Sequence, residues 1–200
     1  KNKFPQKKKD SYVLTRGAHG YYWFELQAQE VSGREGLDMK KPAMQLPPLS
    51  QPIPSRALKT LESKVLPPYV MNRRWFGGKA RTIQRMQIVN NMPMVRERFA
   101  ASLLFIEVSY NEGLPELYQL PIAFTSGEQE AELIATQPNS VIARVTMDGK
   151  EGILYDAVYS EAYRQLLLNL MAKRRSIKVD GAELVGTGSR SIAGKIKELG

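Results

Sequence analysis

The chain has 200 residues, a formal charge of +9 from 29 Lys and Arg against 20 Asp and Glu, one His and no Cys. This length allows one or two domains, and an apolar content of 42% argues against wholesale disorder. The lack of Cys excludes disulfides, Cys-ligated zinc, iron–sulfur clusters and thiol catalysis, and a lone His19 excludes a multi-His metal site.

The start of the chain, KNKFPQKKKD, has neither an initiating Met nor the apolar stretch of a signal peptide, so we interpret the sequence as a piece of a longer protein. No apolar run approaches the ~20 residues of a membrane helix, and we expect a cytoplasmic protein without membrane contact. Five of the lysines lie within residues 1–9, and removing them from the +9 leaves +4. We therefore favour a solvated basic tail over a nucleic-acid-binding arm.

The first two segments differ sharply in composition. Residues 1–30 carry the aromatic string RGAHGYYWFELQ, which alternates like a strand and predicts the last hairpin of a preceding domain. Residues 31–54 contain five prolines, and this density predicts an extended linker.

Residues 55–175 are predicted to form a compact domain that begins with a helix from Ser55 to Leu66, ended by Pro67-Pro68. A second helix is predicted over Tyr159–Arg175 because apolar residues recur on one face. Between the helices, β-branched and aromatic runs predict five strands. The first of these strands ends near Val89, and the other four span 98–110, 114–124, 140–147 and 152–156.

Turn sequences at Asn111-Glu112-Gly113 and Asp148-Gly149 make neighbouring strands antiparallel. The expected class is α+β, a curved antiparallel sheet of about five strands with two helices packed on one face. Residues 176–200 are Gly-rich and weakly apolar, and we interpret them as a connector that begins with a partly ordered strand and ends in a poorly defined C-terminus.

The most distinctive string is RRWFGGKAR, from Arg73 to Arg81. One interpretation is a recognition patch in which arginines bind phosphate or carboxylate and the indole stacks. The other is structural, with the two aromatic residues filling the gap between the first helix and the sheet and Gly-Gly allowing a reversal. We favour the structural interpretation. The candidate structural or interface residues are Arg73, Arg74, Trp75, Phe76 and Lys79.

Other motifs do not predict chemistry. The segment Gly186–Lys195 departs from a phosphate loop in its glycine spacing, and Ile196 stands where a magnesium-binding hydroxyl is needed, so a flexible connector is favoured. The glutamates of SGEQEAE, at 126–132, are interpreted as a solvated loop or polar turn. Asp156 and His19 are interpreted as structural. The sequence thus predicts no catalytic, cofactor-binding or metal-binding residue.

The string LPPYVMNRRWFGGKARTI, at 66–83, resembles the N-terminal cap of bacterial maltokinases, whose caps carry an Arg-Arg-Trp-Phe-x-x-Lys string before the first strand. The segment YQLPIAF at 118–124 is similar to the family's Tyr-x-x-Pro-Leu strand. LYDAVYSEAYRQLLL at 154–168 is similar to its Tyr-Asp segment and following helix. The resemblance covers roughly residues 55–175 and implies a cystatin-like fold.

RGAHGYYWFELQ, at 16–27, resembles the closing strand of the β-domain of α-amylase-family trehalose synthases, which occur fused to maltokinases. The two resemblances imply a parent that interconverts maltose and trehalose and phosphorylates maltose with ATP and magnesium. They also imply that the rest of the kinase N-lobe and the synthase domain are this chain's partners.

The family's nucleotide loop, phosphate-binding Lys, catalytic Asp and magnesium ligands lie beyond the cap, and none has a counterpart before Gly200. The resemblance therefore implies an inactive cap fragment without its own cofactor. The alternative is a basic module that binds nucleic acid or another anionic polymer, and nucleic acid is the less favoured partner.

Overall fold

The computed structural model describes residues 41–179 and 181–188. The predicted hairpin at 1–30, the first ten residues of the predicted linker and the end of the predicted connector lie outside the described residues. The α+β class is confirmed: a curled, mixed six-stranded sheet is flanked by a few helices. Its order is β1-β5-β6-β4-β3-β2. The strands are β1 Gln45–Leu46, β2 Ile83–Arg96, β3 Phe99–Tyr110, β4 Glu116–Thr125, β5 Val141–Met147 and β6 Lys150–Asp156.

The sheet has one strand more than the sequence predicts, because the described end of the proline-rich segment joins it. β1 pairs in parallel with β5, whereas all other neighbours are antiparallel. Leu46, Leu49 and Ile53 are buried in the core beside this strand. A two-residue strand between prolines gives no periodic signal. This part of the predicted linker therefore belongs to the core of the domain.

The first helix continues past the two prolines that were predicted to end it. It runs as α1 Ser55–Thr60, a π-helical turn Leu61–Val65, and α2 Leu66–Met71. Pro67 and Pro68 fall in the first turn of α2, where the backbone N–H groups need no helical acceptor. The predicted stop is wrong because the change to π geometry restarts the helix there.

A β-bulge lets the long edge strand β2 serve both faces of the sheet. Ile88 lies opposite Ile106 and Asn90 opposite Phe105, so Val89 is an extra residue on this strand. Before the bulge the even-numbered residue Met86 packs into one core cluster. After it, even-numbered Met92 and Met94 pack into the other.

The bulge is also anchored to the first helix. The backbone N–H of Ile88 donates to Oε1 of Glu62 at 2.7 Å. Glu62 lies in the π-helical turn, so the helix supplies an acceptor to an edge-strand donor. Pro93, farther along β2, is tolerated because β2 is an edge strand.

The two core clusters lie on opposite faces of the sheet, so the prediction that both helices pack on one face is wrong. On β3, Leu104, Ile106 and Val108 pack with the first helix. Leu103 and Phe105 pack with α4, Glu161–Ala172, and with the hairpin of β7, Ser176–Val179, and β8, Ala182–Val185. The unbroken apolar run of β3 is typical of a strand buried on both faces.

The remaining correction concerns the glutamate-rich segment. Residues predicted as a loop form α3, Glu128–Thr136, and Glu130 pairs with Arg144 of β5. None of its residues is fully buried, so no apolar stripe marks it in the sequence. Its first turn carries Glu128 and Glu130, which suit the positive end of the helix dipole.

Candidate functional site

The string Arg73–Arg81 forms the connection between α2 and β2. It comprises a turn and a short 3₁₀ helix, Gly77–Ala80. Phe76 is 2% exposed and its ring lies 5.1 Å from that of Tyr118. A Cβ on Gly78 would overlap the side chains of Tyr110 and Phe76. Phe76 and Gly78 therefore lock this connection against the sheet, as the structural interpretation expects.

Arg73 is directed inwards from the end of α2. Its guanidinium carbon lies 4.5 Å above the ring centroid of Tyr69, and Nη1 donates to the carbonyl of Asn139. Its Nε is buried and makes no hydrogen bond with the described residues. A cation over an aromatic face is stabilised by the ring quadrupole. Arg73 thus joins the first helix to the turn before β5, and its charge is not presented to solvent as a recognition patch requires.

Beneath Arg73 lies a buried polar contact that the sequence does not reveal. The hydroxyl of Tyr69 donates to Oδ2 of Asp156 at 3.2 Å, and the backbone N–H of Val158 donates to Oδ1 at 3.0 Å. Tyr69 and Asp156 are 4% and 3% exposed. We call this pair the Tyr69–Asp156 clasp, because it ties the first helix to the end of β6, 87 residues away in the sequence.

Burial dominates the electrostatics of the clasp. Desolvation raises the pKa of Asp156, and the hydrogen bonds from Val158 and Tyr69, with the charge of Arg73, oppose that rise. Desolvation and the negative charge of Asp156 both raise the pKa of Tyr69. Burial also raises the pKa of Tyr163, on α4, to about 12. Both tyrosines are therefore neutral at physiological pH, and the hydroxyl of Tyr69 keeps the proton that it donates to Asp156.

A second polar network lies at the other end of the string. Arg81 pairs with Glu116 and stacks over Tyr110 at 3.6 Å from the ring centroid. The hydroxyls of Tyr110 and Tyr118 both donate to Oε2 of Glu116. The hydrogen bond from Tyr118 lowers the pKa of Glu116 most, and those from Tyr110 and Arg81 lower it further. Arg81 is thus also committed to contacts within the domain.

Among the cationic and aromatic residues of the string, three are exposed. Arg74 and Lys79 are exposed, and within the described ranges neither has an ion pair or side-chain hydrogen bond. Trp75 is 43% exposed and rests against Tyr118 with 5.8 Å between ring centroids. The expectation that Trp75 fills the core is therefore wrong. The gap at the sheet is filled by Phe76, and a second large ring finds room only on the outer side of Tyr118.

Across 41–179 and 181–188, no group of three His, Cys, Asp or Glu is arranged to hold a metal ion. Within the same ranges no helix is long and apolar enough to cross a membrane. His19 lies outside the described residues, and Asp148 occupies the β5–β6 turn with a positive φ of 49°.

The comparison with known families assigns the domain. Residues 69–159 match the family model of the maltokinase N-terminal cap domain. The match confirms, for this segment, the resemblance to a maltokinase cap that the sequence shows. Both residues of the Tyr69–Asp156 clasp lie within it, near its two ends. A search of the curated proteins found no match to the chain.

Proposed function

We propose that the chain is the non-catalytic cap portion of a maltokinase that is fused to a trehalose synthase. In this proposal the parent interconverts maltose and trehalose and transfers a phosphoryl group from ATP to maltose, giving maltose 1-phosphate. The family match over residues 69–159 supports a maltokinase-related role. The fusion rests on the resemblance of residues 16–27 to a synthase β-domain strand.

The contacts of the cap's polar residues support a structural role. Phosphoryl transfer needs an orienting or basic Asp, carboxylate or amide ligands for magnesium, and a cation on the phosphates. In the cap, Asp156 is buried against Tyr69, Glu116 is paired with Arg81, and Glu130 is paired with Arg144. Each of these carboxylates holds two elements of the fold together, so none is free for a substrate. ATP, magnesium and maltose would bind to other parts of the parent.

The coding sequence on either side tests the fusion. Upstream, the proposal expects an α-amylase-type catalytic domain that ends in the strand containing residues 16–27. Downstream, within the next ~200 codons, it expects a Ser/Asn-rich phosphate loop, a strand Lys and an Asp-bearing catalytic loop. A kinase body downstream without a synthase upstream would overturn the fusion alone. An unrelated domain downstream would overturn the kinase assignment.

The anionic-polymer alternative has its own test, because Arg74, Trp75 and Lys79 are the cationic and aromatic residues of the string that are exposed. If this surface binds the polymer, the affinity for a single-stranded oligonucleotide should fall steeply between two salt concentrations. Arg74→Ala with Lys79→Ala would then weaken binding, whereas deletion of residues 1–9 would not. We expect any binding to disappear with residues 1–9 instead.

A further inference from the structure

The chain after β8 packs tightly against the end of α4. The backbone N–H of Gly186 donates to the carbonyl of Arg175 at 2.9 Å, and Nη2 of Arg174 donates to the carbonyl of Gly188 at 3.1 Å. The N–H of Arg175 in turn donates to the carbonyl of Leu170 at 3.0 Å. We call residues 186–188 the glycine seam, because Gly186 and Gly188 are each hydrogen-bonded to residues at the C-terminal end of this helix.

The two glycines make this approach possible. A Cβ on Gly186 would overlap the backbone carbonyl of Leu170, and a Cβ on Gly188 would lie 2.7 Å from the carbonyl oxygen of Met171. These neighbours are main-chain atoms of a helix, so they cannot turn aside as a flexible side chain would. Thr187, between the glycines, is exposed and has no such constraint.

The hairpin that leads into the seam is also packed on the domain. A two-stranded hairpin is marginally stable on its own in water. Here both residues of two of the four cross-strand pairs pack against the second core cluster, which also contains residues of α4. These residues are Ile177, Val179, Ala182 and Leu184. The connector predicted over residues 176–200 thus begins with two strands rather than one, and it is anchored as far as residue 188, where a flexible connector was predicted from Gly186 onwards.

We propose that β7, β8 and the glycine seam form a rigid segment that is fixed to α4 and continues the domain as far as residue 188. The close approach of the two glycines fixes the main chain at residues 186–188, and the apolar contacts of the hairpin hold the strands that lead to it. If a kinase body lies beyond, as the proposed function has it, its connection to the cap is rigid up to residue 188. This last statement rests on the proposed function, whereas the rigidity of the segment does not.

Hydrogen exchange of the whole 200-residue chain, followed by mass spectrometry, tests the rigidity directly. Amides of the hairpin and of Gly186 are expected to exchange as slowly as those of α4, because all belong to one cooperative unit. Exchange at the rate of an unstructured peptide, with α4 still protected, would overturn the proposal. This measurement uses the unsubstituted chain, so it tests the proposal even if a substitution prevents folding.

Gly186→Ala and Thr187→Ala form the matched pair. Gly186→Ala should speed exchange in residues 176–188 by at least about tenfold, equivalent to about 1.4 kcal/mol of local stability, and should leave β3 and β4 unchanged. Thr187→Ala should change neither. Equal exchange in the two variants would show that the close approach at Gly186 is not what holds the segment. The outcome does not depend on which domain follows, so it separates this proposal from the proposed function.

Discussion

Removing one hydroxyl from the Tyr69–Asp156 clasp tests whether the buried polar pair secures the first helix to the sheet. Tyr69→Phe keeps the ring beneath Arg73 but removes the donor that lies 3.2 Å from Oδ2 of Asp156. The carboxylate keeps its hydrogen bond from Val158 and the nearby charge of Arg73. It therefore stays buried with one donor fewer.

The expected cost follows from that loss. A hydrogen bond to a charged group contributes about 1.5–3 kcal/mol, and we expect about 2 kcal/mol here because two favourable neighbours of the carboxylate remain. For a domain of this size, a loss of that order lowers the melting temperature by about 4–8 °C.

Thermal and urea unfolding of the two chains supply the measurement, with Tyr159→Phe as the control. Tyr159 is 40% exposed and lies three residues beyond Asp156, so loss of its hydroxyl should change the free energy of unfolding by less than about 0.5 kcal/mol. An equally small change for Tyr69→Phe would refute the clasp as a stabilising contact.

Three further predictions use the same unfolding assays. Burial raises the folded-state pKa of Asp156, so the folded chain binds this proton more tightly than the unfolded chain, and the contribution of Asp156 to stability falls as pH rises through that pKa. Asp156→Asn leaves Tyr69, Arg73 and Tyr163 facing a neutral group. The variant should therefore gain stability relative to the parent chain as pH rises above about 4, the ordinary pKa of an aspartate, and a constant difference would contradict this. Gly78→Ala should destabilise the domain by about 1–3 kcal/mol, because its Cβ would overlap the neighbouring side chains. The control is Gly77→Ala, which should cost less than about 1 kcal/mol because its Cβ would lie 3.5 Å from the nearest hydroxyl. Equal costs would refute the packing argument. Phe76→Ala should cost about 3–5 kcal/mol and Trp75→Ala about 1 kcal/mol or less, and the reverse order would place the indole in the core.

Local sequence signals predicted the class of the fold because most elements carry their own pattern. The two hairpin turns, the apolar strands and the periodic face of α4 are all encoded within a few residues. Features that depend on distant partners were missed. The π turn that restarts the first helix before Pro67 and the extra residue Val89 in β2 have no local signature. The face of the sheet on which each helix packs is also set by distant contacts, and it was wrongly predicted.

The string Arg73–Arg81 shows how far residue type can guide a site prediction. Its composition indicated the right loop, but its three arginines lie in different surroundings. Arg73 and Arg81 each stack on a tyrosine, whereas Arg74 remains at the surface. Those tyrosines are supplied by α2 and β3, so the spacing within the string could not separate the half-buried arginines from the exposed one.

The Tyr69–Asp156 clasp was not predictable for the same reason. Asp156 follows a strand, where an aspartate commonly bonds to its own backbone, and it does accept from Val158. Its second partner, Tyr69, is 87 residues away and is placed only by the complete sheet.

The rate of ADP formation from ATP, measured with magnesium and maltose present, tests the central claim most directly. The purified 200-residue chain should show no maltose-dependent ADP release and no heat of ATP binding, whereas a longer polypeptide that continues through the kinase body should show both. Maltose-dependent turnover that scales with the concentration of the 200-residue chain would contradict a non-catalytic cap.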